Sequence, residues 1–164
     1  MRDAGEFDVF YHGTAGRVFG QLYLMTGDRA DAEDAVAEAF LRAWERWETV
    51  RESDCPEAWV RRVAYRIAVS NWRKAVNRVK AHYRGATSDR IEATSPDHVA
   101  IVQVLRQIPA DQRRAIVLFH LLGLSVQEVA EEVGAPTGTV KARLARGRRA
   151  IADLLTDVDH AVEA

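Results

Sequence analysis

Apolar residues recur along this chain at spacings of three and four, and no stretch alternates at period two for long enough to make a sheet. The pattern predicts an all-α protein. A first helix is expected from about Glu6 to Met25, with Phe7, Phe10, Tyr11, Val18 and Leu22 inward and Gly27 suited to its C-terminal cap. A second opens near Asp28, carries Val36, Phe40, Leu41, Trp44 and Trp47, and ends around Thr49; Asp31, Glu33 and Asp34 suit the positive end of its dipole. Arg51 to Pro56 reads as a short loop, and a long basic helix follows from about Glu57 to Tyr83. Gly85 to Pro96 then breaks the periodicity. Four more helices are expected beyond it, at Asp97–Gln107, Asp111–Leu122, Val126–Val133 and Thr137–Leu155, separated by Pro109, Gly123 and Gly134. The reading is two small helical modules, residues 6–80 and 96–158, joined by a flexible linker at 81–95.

Charge sharpens this division. The formal net charge of the 164 residues is only -1, yet Ala58 to Ser88 holds no acid while Arg61, Arg62, Arg66, Arg73, Lys74, Arg78, Lys80 and Arg84 are basic. A second acid-free run, Gly134 to Ala152, holds Lys141, Arg143, Arg146, Arg148 and Arg149. Asp28 to Glu48 leans the other way, with Asp31, Glu33, Asp34, Glu38, Glu45 and Glu48. Two basic surfaces and one acidic surface are expected.

The second basic run carries a recognisable geometry. Ser125 and Glu128 form a Ser-x-x-Glu capping box, Gly134 permits a tight turn, and Thr137 opens the next helix. This is a helix-turn-helix, whose second helix enters the major groove of duplex DNA. Thr137, Thr139, Lys141, Ala142, Ala145 and Arg146 lie off the apolar stripe of Val140, Leu144 and Ile151 and are placed to read bases. Arg143, Arg148 and Arg149 lie nearer the flanks and suit phosphates.

In the first module the basic helix interleaves its charge with Trp59, Tyr65, Trp72 and Tyr83, the combination on which single-stranded bases stack. Packing in a small core is nevertheless the default expected of each tryptophan. The single cysteine, Cys55, excludes an intramolecular disulfide, and His12, His82, His98, His120 and His160 show no metal-ligand spacing. His120 is expected to be packed. No catalytic residues and no cofactor are expected, nor any membrane insertion or export signal, and the chain is read as cytoplasmic.

The order of pieces resembles the extracytoplasmic-function sigma factors of bacterial RNA polymerase, and is closest to a SigE-like branch common in actinobacteria. Gly27-Asp28 with Ala32 to Trp44 resembles the family's polymerase-binding helix in conserved region 2, and Ala58 to Ala64 its promoter-melting helix. Ile108-Pro109 with Arg113-Arg114, Gly123-Leu124-Ser125 and Gly138 to Arg148 follow its region 4. The resemblance implies that Asp34, Glu38 and Leu41 dock on core polymerase and that the helix-turn-helix binds the minus-35 duplex. It implies that the loop Arg51, Glu52, Ser53, Asp54 captures an unstacked base of the minus-10 element, with Trp59, Arg61, Arg62, Arg66, Ser70 and Arg73 near the melted strand. It also implies a partner such as an anti-sigma factor or other regulator, and a linker whose Asp89 and Glu92 mimic nucleic-acid charge. Ala37 and Arg66 depart from the glutamine and asparagine that many members carry; a cation at 66 suits a phosphate better than a base. A stand-alone helix-turn-helix regulator is the other reading, and it leaves the first module unexplained.

Overall fold

The computed structural model describes residues 3–81 and 96–162, all helical between short turns, with no strand among them. They fall into two compact units, one within Met1–Ser95 and one within Pro96–Ala164. The expected linker, with Tyr83, Arg84, Asp89 and Glu92, lies outside the described residues apart from Ala81.

The first unit is three long helices and one short one. Helix α1 (Ala4–Thr26) begins where the Asp3 carboxylate accepts the Glu6 N–H, and it stops at Gly27, whose φ of 74° is left-handed and whose N–H reaches the Tyr23 carbonyl. Helix α2 (Arg29–Glu45) opens on an Asp28 cap, and α4 (Pro56–Ala81) opens on the proline expected there. The second helix does not run unbroken to Thr49. The chain kinks at Arg46 and resumes as the single turn α3 (Trp47–Val50). The kink delivers Trp47, only 2% exposed, into an aromatic cluster where Phe7 and Phe10 each stand 5.1 Å from it between ring centroids. The rest of the core is Val18, Leu22 and Met25 from α1, the buried alanines and Phe40 of α2, and Val60, Ala64, Ile67 and Ala68 of α4. Tyr11, expected inward, leans over Phe40 edge-on at 5.0 Å but stays exposed.

The second unit is built around a buried central helix. Helix α5 (Pro96–Arg106) leads into α6 (Ala110–Ile116), and α6 widens into a π-helical turn, Val117–Leu121, where a simple α-helix to Leu122 is expected from the sequence. Ala115, Ile116, Val117 and Leu118 are all buried, which a helix manages only when neighbours cover most of its circumference. Helix α7 (Val126–Val133) carries the expected capping box: the Glu128 N–H donates to Ser125 Oγ at 3.1 Å and the Ser125 N–H to Glu128 Oε2 at 2.7 Å. That second bond holds the Glu128 carboxyl below the usual carboxylate range. Gly134, at φ 67°, makes the turn into α8 (Thr137–Val162), and Val140 and Leu144 bury its inner stripe.

Candidate nucleic-acid interface

Position on α8 sorts its residues. At about 100° per residue, Thr139, Ala142, Ala145, Arg146 and Arg149 fall on the face opposite buried Val140, Leu144 and Gly147, with Lys141 and Thr137 to one side and Arg143 to the other. Lys141, Ala145, Arg146 and Arg149 are exposed. The first half of this face opens on a cleft of about 550 Å³ lined by Gly138, Thr139, Ala142, Arg143 and Arg146 from α8, and by Pro109, Asp111 and Gln112 from the start of α6. Asp111 lies 3.6 Å from the Arg143 guanidinium, so Arg143 is drawn toward α6. Asp111 and Gln112 had no local signal, since their partners stand some 30 residues further along. Arg148 lies on the other side, its Nε donating to His120 Nε2 at 2.9 Å and its guanidinium 5.5 Å over the Phe119 ring. His120 is therefore exposed and bonded rather than packed as expected, because the π turn shifts the helical register.

Helix α4 sorts its residues the same way. Trp59, Arg62, Arg66, Ser70 and Arg73 fall within an arc of about 80° at 100° per residue, which brings five of the six expected strand-contacting residues onto one flank. Arg61 does not join them. It lies on the arc that faces α1, is 6% exposed, and donates from Nη1 to Gln21 Oε1 at 3.2 Å. The same polar contact includes Glu57, which accepts from Arg17 Nη2 at 2.6 Å and from Gln21 Nε2 at 3.4 Å. Arg61 is thus a brace between α1 and α4 in this structure.

The bond from Arg17 lowers the Glu57 pKa, opposed by partial burial. A depressed carboxylate stabilises the fold above its unfolded pKa and ceases to do so as pH falls through the folded value. Replacing Arg17 by methionine should therefore lower stability slightly near neutral pH, the effect being small because Arg17 is largely exposed and its pair with Glu57 is screened by solvent. The gap from the unaltered chain should close in acid, as the pH falls below the ordinary glutamate range and Glu57 takes up its proton. Thermal melts across that range check this, and a gap that persists in acid contradicts it.

The loop after α3 is also braced. Arg51 Nη1 donates to Glu6 Oε2 at 2.8 Å and its Nη2 lies 3.2 Å from Glu48 Oε2, while Ser53 Oγ donates to the Val50 carbonyl at 2.6 Å. Glu52, Asp54 and Cys55 are exposed. Arg51 is thereby engaged by two carboxylates and fixes the loop against α1. On α2, Asp34, Glu38 and Leu41 share a strip about 60° wide, with Leu41 58% exposed and Glu38 paired with Arg42 one turn on. Among the described residues no helix is long and apolar enough to cross a membrane.

Two family models match the two units in turn: sigma-70 region 2 over residues 10–78 and sigma-70 region 4 over residues 98–151. The chain is 34% identical over 137 residues to the extracytoplasmic-function sigma factor SigL of Mycobacterium tuberculosis, covering 77% of this chain and 76% of that one. It is 28% identical to SigE of Mycolicibacterium smegmatis over 86% of its own length, and spans 58% of that relative. The sigma factor RpoE of Bartonella quintana, solved with the anti-sigma factor NepR, has the same fold, with a TM-score of 0.81 at 23% identity over 92% of this chain and 97% of that one. The chain belongs to the extracytoplasmic-function sigma factors, which direct bacterial RNA polymerase in transcription initiation.

Proposed function

We propose that this chain binds core RNA polymerase through the α2 strip of Asp34, Glu38 and Leu41, and reads promoters with both units, residues 6–80 serving the minus-10 element and 96–158 the minus-35 element. The observation that carries the reading is the sorting on α8 and α4, where Arg146 and Arg149 on the one and Arg66 and Arg73 on the other are exposed on the side away from the packed stripe. On α8, Lys141 and Arg146 donate to base edges with Thr137, Thr139, Ala142 and Ala145 beside them, and Arg143 and Arg149 hold phosphates. On α4, Arg62, Arg66, Ser70 and Arg73 line the melted strand, and Trp59 offers a ring beside it. The loop Glu52, Ser53, Asp54, held by Arg51, receives the unstacked base; flipping a base costs a few kcal/mol, which a pre-braced loop offsets better than a floppy one. Arg61 acts by holding α4 against α1.

The work is recognition without catalysis or cofactor, in the cytoplasm where polymerase and promoters are. The complexes of Bartonella RpoE with NepR and of CnrH with the cytosolic domain of CnrY support an anti-sigma partner for this chain also. Run-off transcription with bacterial core polymerase on a genomic promoter library should give new transcript starts preceded by two spaced motifs when the chain is added. Tight binding to duplex DNA by the chain alone, with no added starts, would make it a stand-alone regulator instead.

A further inference from the structure

An acid stands where a polyanion is to be received. The run from Gly134 to Ala152 holds no acid, yet among the described residues that line the cleft on the open face of α8, α6 supplies the carboxylate of Asp111 beside Arg143 and Arg146. The Asp111 side chain is 71% exposed, so packing does not account for it, and neither does capping, since Pro109 is the N-cap of α6 and makes no side-chain bond there. Its charge complements the α6 dipole, as any acid in a first turn does. What is particular is its partner. Asp111 Oδ2 lies 3.6 Å from Arg143 Nη2, and the Arg143 side chain is only 26% exposed, drawn along the cleft wall toward α6.

Resting on the promoter-reading role of α8, in which Arg143 holds a phosphate, we propose that Asp111 is a specificity-determining residue. It restrains Arg143 so that this cation adds to binding only when the recognition helix is seated in register on its minus-35 element. A free guanidinium on a long side chain takes any phosphate within reach, and such contacts are the sequence-independent part of DNA binding. Beside Asp111 its charge is offset, and a duplex displaced from the correct register meets the carboxylate as well, a like charge that disfavours the wrong complex. In the seated complex the guanidinium, with five N–H donors, holds a phosphate and the carboxylate at once. Asp111 thus acts through Arg143 and is a positioning residue that touches no base.

The test uses the full chain with subsaturating bacterial core polymerase, on a promoter from the run-off experiment and on variants of it altered at one base pair of the minus-35 or of the minus-10 motif. Asp111→Asn keeps the shape of the side chain and removes its charge. It should raise transcription from minus-35 mismatches relative to the matched promoter by about fivefold, the most that one exposed ion pair accounts for, and leave the penalty for minus-10 mismatches as it was. Initiation at the minus-35 mismatches should also become more sensitive to salt, its log–log slope steeper by about 0.9, one phosphate contact. In an Arg143→Gln background, Asp111→Asn should leave the mismatch penalties where that background sets them. A purely structural role at the start of α6 would lower the melting temperature and depress every promoter alike with the ratios unmoved, and that result overturns the proposal, as does an effect that persists without Arg143. A change confined to one minus-35 position would overturn it too, by making Asp111 a direct reader of that base. Wild-type ratios in Asp111→Asn would remove this proposal alone, whereas failure of the unaltered chain to direct any transcript start would remove the functional reading with it.

Discussion

Replacing Leu41 by aspartate is expected to raise the concentration of chain needed for half-maximal promoter-specific transcription by about 100-fold, with no change in melting temperature. The expectation follows from what α2 does with its two faces. Ala32, Ala35, Val36, Ala39, Phe40 and Ala43 pack inward against α1 and α4, and they account for the helix without Leu41. A leucine 58% exposed beside Asp34 and Glu38 contributes little to the fold, so its removal costs the fold little. At an interface the balance reverses. Burying leucine is worth about 1.5–3 kcal/mol, and an aspartate put in its place loses that and adds an unpaired carboxylate to a buried surface. A loss of about 2.8 kcal/mol is a factor of about 100. Asp34→Asn and Glu38→Gln, at the charged rim, should act more mildly and mainly on association rate. Fluorescence anisotropy of labelled chain against core polymerase measures this directly. Binding within threefold of wild type would show that α2 is not the docking surface.

Much of the fold was legible because its boundaries are written locally. A cap needs only a side chain and a backbone N–H three residues on, so Asp28, the Ser125–Glu128 box and the left-handed glycines Gly27 and Gly134 announce themselves in sequence. The helix-turn-helix was legible for the same reason. Departures came wherever a distant partner decided the outcome. The kink at Arg46 serves Trp47, whose neighbours Phe7 and Phe10 lie some 40 residues earlier, and nothing around Arg46 carries that signal. The π turn begins within a run of four consecutive buried residues, whose covering neighbours lie on other helices and leave no local signal. Helix α8 continues past Leu155 to Val162 because no glycine or proline stops it, although its later turns are mostly exposed.

Site residues divide along the same line. Exposed cations on α8 can be placed from periodicity alone, because the stripe of Val140 and Leu144 fixes which side faces out. Arg61 and Trp72 cannot. Both stand near the border between the packed and the open arcs of α4, and which way each goes depends on where α1 crosses. Near residue 61 α1 offers Gln21, and the arginine is drawn in; by residue 72 the packing has ended and the tryptophan is left out. A basic residue inside and an aromatic residue outside invert the usual pattern, and only the lengths of the packed helices explain it.

The recognition helix is held by an approach so close that one added carbon should disturb it, and Gly147→Val tests this. A Cβ at 147 would lie 2.9 Å from Ile116 Cγ1, 3.3 Å from Ile116 Cδ1 and 3.5 Å from Gln112 Cβ. Ile116 is 5% exposed and cannot swing into solvent, so α6 and α8 must move apart. Overpacking of this kind costs about 1–3 kcal/mol, partly offset because glycine is a poor helix former. For a unit of this size the net change lowers the melting temperature by roughly 5–15 °C. The displacement also reaches the interface, since Gln112 and Asp111 line the cleft shared with Gly138, Thr139 and Arg143. Transcription from promoters that depend on the minus-35 element should therefore fall at temperatures well below the melting transition. Gly138 is the contrast within the same helix: a Cβ there meets nothing within 4 Å, and Gly138→Ala should stabilise by about 0.5–1 kcal/mol. Coupling to Ile116→Ala makes the mechanism specific, because that change removes both carbons the new side chain strikes. The double variant Gly147→Val with Ile116→Ala should lose less than the sum of its parts by at least about 1 kcal/mol. Simple additivity would mean that the valine is accommodated elsewhere and that Gly147 is not the contact that sets the spacing of α6 and α8.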